Sequence, residues 1–307
     1  MPFIPPVNIT ERNTRIIPVD FEYFEPKTIE EALELLNVYS NEAKILAGGT
    51  DLLVKIKVKL LRPKVIINIK RISELRYIVE DNGYVKIGAL TTLRDVERSE
   101  IVKQKVPALF TAVNNMGSIQ VRNMATIGGN LCNASPAADT APPLLVHEAV
   151  VKVRSVNGER LIPLEDFFRG PGITSMGPNE MLVEVMIKKS HLGASAFRKI
   201  SRVAVDLAVA SAAVYLEVSE DTITETRVSL GSVAPTPLRA RKTELKLKGL
   251  KVGSNDLREA LTMLEQEVSP ITDTRSTAEY RRYIIKTLVW DALNDAYTRL
   301  KEGSVEK

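Results

Sequence analysis

The sequence predicts an α+β fold, in which an N-terminal region of alternating strands and helices precedes a strand-rich C-terminal domain backed by helices. Up to about residue 187, short β-branched runs alternate with amphipathic helical patterns. From Met181 onward the strands are longer, and helical patterns close the chain. We expect an N-terminal arm over 1–18, a two-lobed region over 19–187 with lobes of about 19–68 and 69–187, and a C-terminal domain over 188–307, with an antiparallel sheet backed by helices.

Local signals predict the elements of the first half. Thr28 followed by Glu31 forms a capping box that opens a helix with Leu35 on its apolar face. Asn82-Gly83 is typical of a hairpin turn. The patterns predict strands over 44–47, 65–69, 77–79, 85–87 and 149–153, and helices over 52–61, 106–116 and 142–147.

The second half of the sequence differs from the first in composition and in the length of its predicted strands. Residues 163–178 are rich in glycine, proline and aromatic side chains, which predicts a long crossing loop. Beyond it, the patterns predict strands over 181–187, 194–200, 208–218 and 222–230, and helices over 255–266 and 277–300.

Composition excludes several classes of function. A hydrophobic content of 44% and a charged content of 26% are ordinary for a globular protein. The net charge of +4 comes from interspersed residues, so no basic stripe for nucleic acid stands out. No apolar run approaches the roughly 20 residues of a membrane helix, and no signal peptide opens the chain. We expect a cytoplasmic protein with no membrane span.

Cysteine and histidine usage argues against a metal. Cys132 is the single cysteine, which excludes an internal disulfide and an all-cysteine zinc or iron–sulfur site within this chain. His147-Glu148 begins like a zinc-helix motif, but Val151 occupies the position of the second histidine. We therefore expect no bound metal.

Two glycine pairs are the main functional signal, Gly48-Gly49 and Gly128-Gly129. Neither has the spacing of the dinucleotide-binding fingerprint or of the P-loop. Each can offer consecutive backbone N–H groups to a pyrophosphate, with Thr50 adding a hydroxyl and Asn130 an amide. For each pair alone, a tight turn is the competing interpretation. Together they suggest one phosphate-rich ligand that is held from two sides.

The residues around the second pair resemble a known family. The run from Gln120 to Leu131 continues through Asn133 to Leu145, and the first pair lies in Leu46-Ala47-Gly48-Gly49-Thr50-Asp51-Leu52. Both segments are similar to the FAD-binding medium subunits of the xanthine dehydrogenase, carbon monoxide dehydrogenase and aldehyde oxidoreductase family of molybdenum hydroxylases. The resemblance extends over 21–296, with further agreement at 167–170, 180–182, 197–199, 206–208, 231–237 and 280–282.

The resemblance implies a two-lobed FAD-binding domain of the vanillyl-alcohol-oxidase and molybdenum-hydroxylase type, with the FAD pyrophosphate between the glycine pairs. It places Asp139 at the adenosine or ribityl side, Leu207 beside the isoalloxazine, and either Arg198 or Lys199 near the flavin. A cation there would favour reduced, anionic flavin. The full implied set is Leu46, Ala47, Gly48, Gly49, Thr50, Asp51, Met116, Thr126, Ile127, Gly128, Gly129, Asn130, Asp139, Leu182, Arg198, Lys199 and Leu207.

Structural interpretations of these residues stay open beside the functional ones. Met116, Leu182 and Leu207 are equally typical of a hydrophobic core, and Asp139 of a helix cap. Arg122 and its neighbour Asn123 can brace the loop through hydrogen bonds to buried backbone.

The resemblance also implies partners. A large subunit would carry the molybdenum cofactor and hydroxylate the substrate, and a small subunit would carry two [2Fe–2S] clusters. Electrons would reach FAD on this chain and leave to an external acceptor, with no catalytic base here. Since Cys132 is alone, the cysteine-rich insertion of dehydroxylating relatives is absent. Two alternatives remain: a stand-alone FAD-dependent reductase of the same flavin-binding fold, and a scaffold without cofactor. For the N-terminal arm, a loose tail and a strap over a partner are both open.

Overall fold

A computed structural model describes residues 19–189 and 192–305, so the predicted arm over 1–18 lies outside the described residues. The strands are β1 (Glu22–Phe24), β2 (Ala43–Leu46), β3 (Val65–Asn68), β4 (Ile78–Asp81), β5 (Tyr84–Gly88), β6 (Val150–Ser155), β7 (Gly158–Pro163), β8 (Phe168–Gly170), β9 (Ile173–Thr174), β10 (Met181–Lys188), β11 (Ala194–Ile200), β12 (Ala210–Ser219), β13 (Thr222–Gly231) and β14 (Leu238–Arg239). The helices are α1 (Ile29–Tyr39), α2 (Leu52–Lys57), α3 (Leu93–Arg98), α4 (Glu100–Lys105), α5 (Pro107–Asn114), α6 (Ile119–Met124), α7 (Ile127–Cys132), α8 (Ala141–Val146), α9 (Arg241–Leu247), α10 (Asn255–Ala260) and α11 (Ala278–Val305).

A small parallel sheet begins the described chain. Its strand order is β1-β3-β2, and both outer strands run parallel to β3. The side chains of β3 are fully buried, which explains its unbroken β-branched run. Helix α1 covers one face, and the Thr28 hydroxyl accepts a hydrogen bond from the Glu31 N–H at its start, as predicted. The other half of the capping box is not formed, because the Glu31 carboxylate accepts from the Lys27 N–H instead. The end of β2 delivers the chain to the first glycine pair.

A five-stranded antiparallel sheet follows, in the order β4-β5-β10-β6-β7. The Asn82-Gly83 hairpin joins β4 to β5, as predicted, with both turn residues at positive φ. A large apolar core connects this sheet to α3, α5, α7 and α8. Helix α7, which carries the second glycine pair, is thereby fixed against β5 and β10 of this sheet.

The C-terminal part is an antiparallel sheet of order β11-β12-β13-β14. Helices α9, α10 and the long α11 bury their apolar side chains against it in a separate core. The predicted antiparallel sheet backed by helices is confirmed, and so is the α+β class. The domain limits drawn from the sequence stay a prediction.

The local predictions fail where elements are short. Helix α2 ends at Lys57 rather than near Leu61, because Lys59 adopts a φ of 63°, which interrupts the helix. The predicted loop over 163–178 contains the small hairpin β8–β9. Several helices of only six or seven residues were not predicted, since they are too short to repeat an apolar period: α3, α4, α6, α7 and α9. Among the described residues, no helix has the length and apolarity needed to span a bilayer.

Candidate cofactor site

The first glycine pair joins β2 to α2 in a turn that only glycine fits. Gly49 has a φ of +84°, which side chains with a Cβ rarely adopt. Gly48 lies against the chain before α7, and a Cβ added there would lie 2.2 Å from the Met124 carbonyl oxygen. The sequence requires glycine at both positions, at one for its φ and at the other for close backbone approach.

The amides of this turn have no acceptor among the described residues. Within the described part of the chain, the N–H groups of Gly48, Gly49, Thr50 and Asp51 have no hydrogen-bond partner. The Thr50 hydroxyl makes only a long contact, 3.4 Å, with its neighbour Asp51. Unpaired backbone N–H groups in succession form an anion-binding concavity. This turn therefore has the donors that the sequence predicted for a pyrophosphate.

The second glycine pair differs from that prediction. Residues 127–132 are the helix α7, not a strand or an open turn, and Thr126 is its N-cap. The Gly128 N–H donates to the Ala89 carbonyl at 3.0 Å, and the Gly129 N–H donates to Thr126 Oγ1 at 3.1 Å. The Ile127 and Asn130 N–H groups are also paired with carbonyl oxygens. The expectation that this pair offers open N–H groups was wrong, because the Gly128 and Gly129 N–H groups already donate hydrogen bonds to Ala89 and Thr126.

Packing explains the glycines of the second pair. A Cβ at Gly128 would lie 2.8 Å from both Cβ and the carbonyl oxygen of Ala89. A Cβ at Gly129 would lie 2.8 Å from Thr126 Oγ1 and 4.0 Å from the Ala47 Cβ. The absence of side chains lets α7 approach the residue after β5 and the first glycine turn. The structure therefore brings the two pairs together, as predicted, with different roles for their backbones.

Polar side chains connect the two segments. Asn133 donates from Nδ2 to Asp51 Oδ1 at 3.1 Å, and Lys55 Nζ donates to Asn133 Oδ1 at 2.6 Å. Neither Lys55 nor Asn133 was among the predicted site residues. No local pattern could have found them, since the contact joins residues about eighty positions apart.

A buried ion pair lies beyond α7. Lys199 Nζ lies 2.7 Å from Asp139 Oδ2 and donates to the Asn115 carbonyl at 3.3 Å. The Lys199 and Asp139 side chains are only 5% and 3% exposed. Asp139 Oδ1 has no hydrogen-bond partner among the described residues, which is costly for a buried carboxylate oxygen. This oxygen can accept a hydrogen bond from a bound ligand.

The environment of Asp139 shifts its protonation. Burial raises the pKa of its carboxyl group to about 6, and the Lys199 ammonium opposes that rise. Asn130 lies on the same side, where its Oδ1 accepts a hydrogen bond of 2.6 Å from the Thr140 hydroxyl. In this part of the molecule, the groups that can contact a ligand are polar side chains rather than backbone amides.

The remaining predicted site residues are distributed around this centre. Arg198 points away from Lys199, pairing with Asp295 of α11 at 2.7 Å between Nη2 and Oδ1. Leu182 is buried in the core, and Met116 packs against the same core. Leu207 is 44% exposed, in the turn between β11 and β12. Leu46 and Ile127 are buried in the cores beside the glycine pairs.

Arg122 has the bracing role that was left open. Its guanidinium donates to the Met116 and Gly117 carbonyl oxygens at 3.0 and 2.8 Å. It also pairs with Glu97 at 2.9 Å. Burial would raise the pKa of Glu97, but hydrogen bonds from Arg122 and Arg94 hold it below its ordinary value. Arg122 thus fixes the turn before α6. No cluster of His, Cys, Asp or Glu among the described residues could hold a metal ion.

Comparison with known proteins decides the family. Residues 19–189 match the model of the FAD-binding domain in molybdopterin dehydrogenase. Residues 195–296 match the model of the C-terminal domain of CO dehydrogenase flavoprotein. This chain belongs to the family of FAD-binding medium subunits of molybdenum hydroxylases. It is an oxidoreductase component, and its cofactor is FAD.

Individual relatives are similar over nearly their whole length. The carbon monoxide dehydrogenase medium chain of Hydrogenophaga pseudoflava is 35% identical, over 92% of this chain and 99% of that relative. The glyceraldehyde dehydrogenase medium chain of Sulfolobus acidocaldarius is 32% identical, over 91% and 99%. A solved structure of the Hydrogenophaga enzyme superposes with a TM-score of 0.88, at 35% identity, over 91% of this chain and 98% of that chain.

The residues present fit FAD. The unpaired amides of the first glycine turn suit a pyrophosphate, and the unpartnered Asp139 oxygen suits a hydroxyl donor. Hydrogen bonds of Asp51 and Lys55 with Asn133 link the first glycine turn to the end of α7.

Proposed function

We propose that this chain is the electron-transfer flavoprotein subunit of a three-subunit molybdenum hydroxylase. The observation that carries the proposal is the extent of the match: the chain aligns with 99% of two proteins named as medium chains. A medium chain implies partner chains. We infer a large subunit with the molybdenum cofactor, a small subunit with [2Fe–2S] clusters, and an external electron acceptor, all in the cytoplasm.

We assign the pyrophosphate of FAD to the first glycine turn. The N–H groups of Gly48, Gly49 and Thr50 would donate to it, and their lack of acceptors among the described residues supports this assignment. No cation from this turn is needed, because backbone dipoles favour the negative charge. The second pair would contribute shape and the Asn130 side chain, since its amides are occupied.

We assign Asp139 and Lys199 to the sugar and flavin side. Bound FAD supplies the redox chemistry, while the protein binds it and sets its potential. Asp139 Oδ1 would accept a hydrogen bond, and the Lys199 ammonium would favour the reduced, anionic form of the cofactor. Of the two cations named from the sequence, Lys199 is the one we assign, because Arg198 is turned toward Asp295.

Co-purification tests the assembly. The full chain carrying an affinity tag is expressed in its native host, and the captured complex is examined for flavin, iron, molybdenum and companion chains. We expect a flavin absorbance band together with one iron–sulfur and one molybdenum subunit. A chain that carries flavin but captures neither partner would favour the stand-alone reductase. Colourless protein that takes up no added FAD would contradict the proposed function altogether.

A further inference from the structure

A cavity outside the glycine pairs carries an unassigned charge pattern, and it adjoins the cavity that Lys199 lines. It measures about 460 Å³ and lies where α4, α5 and His147 meet β11 and the end of α11. The residues that matter here are Lys103, Lys105, Thr111, His147, Ser195 and Arg299. Lys103 and Lys105 come from the FAD-binding region, and Arg299 comes from the C-terminal helix. The cavity therefore lies between the FAD-binding region and the C-terminal helix α11.

The charged side chains among the described residues that line the cavity are cations. Two lysines and an arginine line the cavity, and none of the described residues that line it is a carboxylate; Asp295 and Glu302 line the adjoining cavity, which shares Arg299. The Lys105 side chain has no ion-pair partner in the described part of the chain, and Lys103 has only a long contact of 3.5 Å to the exposed Glu100. Phosphate-bearing ligands are recognised by such groups of Arg and Lys.

Arg299 is the exception among the arginines. Each of the other described arginines that is not exposed has a carboxylate in ion-pair contact, as Arg122, Arg239 and Arg281 do. Arg299 donates instead to neutral oxygens, the Ser195 carbonyl and the Thr111 hydroxyl. Burial lowers its pKa, the charges of Asp295 and Glu302 oppose this, and the Arg198 charge adds to it. A largely buried guanidinium without a counterion is costly unless an anion reaches it.

The neutral groups of the cavity suit binding rather than catalysis. Ser195 Oγ lies 2.9 Å from His147 Nε2 and accepts a hydrogen bond from the Ala108 N–H at 3.3 Å. Burial, with the nearby Arg227 charge, lowers the pKa of His147 to about 3. The ring is therefore neutral at pH 7 and a weak base, which does not activate a serine nucleophile. His147 and Ser195 form a neutral, polar part of the cavity lining. The positive charge comes from Lys103, Lys105 and Arg299.

We propose that this cavity binds a small phosphate-bearing anion, at a site distinct from that of the FAD pyrophosphate. The anion would contact Arg299 on α11 and Lys105 at the end of α4, so that its binding links the FAD-binding and C-terminal regions. Because such a ligand binds the folded arrangement, it would also raise the stability of the protein by mass action.

Calorimetric titration of the FAD-saturated chain with pyrophosphate at low ionic strength tests this. FAD occupies its own site throughout, and flavin absorbance reports whether it stays bound. We expect one saturable pyrophosphate site in the wild type. Arg299→Gln and Lys105→Gln should each weaken it by about tenfold or more, as loss of a charge-assisted hydrogen bond predicts.

Two further variants keep the test decisive if Arg299→Gln folds poorly. Arg299→Lys retains the charge and should bind pyrophosphate within about a factor of ten of the wild type. Arg282→Gln removes an exposed cation from the same helix, outside the cavity, and should change nothing. No saturable binding in the wild type, or wild-type affinity in Arg299→Gln or Lys105→Gln, would overturn the proposal. Since flavin absorbance is read separately, loss of FAD binding would be recognised as failure of the cofactor assignment instead.

Discussion

The two glycine pairs have similar sequences and different structural roles. Gly48-Gly49 forms an open turn whose N–H groups have no acceptor among the described residues. Gly128-Gly129 opens the short helix α7, and its N–H groups are used by Ala89 and Thr126. The first pair presents donors, and the second lets two segments pack closely. A glycine pair in a sequence therefore predicts close backbone approach more safely than it predicts a phosphate contact.

The largest effect is expected from Gly48→Ala. The added Cβ would lie 2.2 Å from a backbone oxygen, Met124 O, which cannot rotate away. The turn must then move off α6 and separate from the second pair. We expect FAD affinity to fall by about 3 kcal/mol, a factor of about 100 in the dissociation constant, measured by flavin fluorescence titration.

Gly170→Ala is the matched control for that experiment. Gly170 is also buried, but a Cβ there would meet only Ile173 Cδ1, at 3.7 Å. Its FAD affinity should equal that of the wild type. Wild-type affinity in Gly48→Ala would show that the close contact between the two pairs is not required.

The next largest effect is expected from the protonation of Asp139, the buried carboxylate beyond α7. Its folded pKa of about 6 lies above the unfolded value of about 3.9, so the folded chain binds more protons between these pH values. The stability of the FAD-free chain should therefore fall as pH rises from about 4 to about 6, by at most about 3 kcal/mol from this group.

Urea unfolding across that pH range measures the effect. Asp139→Asn should remove this part of the slope, whereas Asp166→Asn, at an exposed carboxylate, should leave the slope as in the wild type. Identical slopes in the wild type and Asp139→Asn would contradict a buried carboxylate with a raised pKa.

Gly128→Ala tests whether the second glycine pair serves close packing rather than hydrogen-bond donation to FAD. Its Cβ would press on Ala89, so we expect the free energy of unfolding of the FAD-free chain to drop by about 1–3 kcal/mol. The FAD affinity of the folded protein should fall less than in Gly48→Ala, since the lost groups are not the donors. Urea unfolding and FAD titration of both variants provide the comparison. A larger loss of affinity in Gly128→Ala would reverse the two roles.

The smallest effect is expected at the cap of α7. Thr126→Val removes the oxygen that accepts the Gly129 N–H, and should cost about 1 kcal/mol of stability. Thr126→Ser keeps the hydroxyl and should stay near the wild type in the same unfolding experiment. If both variants are equally stable, the Gly129 amide does not depend on this cap.

The sequence predicted the family and the elements that have local signals, but it did not predict which backbone N–H groups are hydrogen-bonded. Thr28, Asn82-Gly83 and the long C-terminal strands gave correct elements, because their signals are local. The short helix α7 was missed, since a run of six residues shows no apolar period and contains two glycines. Without that helix, the use of the Gly128 and Gly129 amides could not be foreseen.

Long-range contacts set the other limit. The Asp51–Asn133–Lys55 link and the choice between Arg198 and Lys199 both depend on which residues meet in space. Strand β11 puts its successive side chains on opposite faces, so one cation reaches Asp139 and the other reaches Asp295. The pattern Arg198-Lys199 alone carries no sign of that choice.

Hydrogen–deuterium exchange, compared between the FAD-free and FAD-saturated chain, tests the central claim most directly. Amide exchange is followed in peptides that cover 46–53 and 126–132. We predict fast exchange of the first segment without FAD and strong protection with it, and protection of the second segment in both states. Fast exchange of 126–132 that becomes slow only when FAD binds would contradict the account, because the second pair would then be the donor.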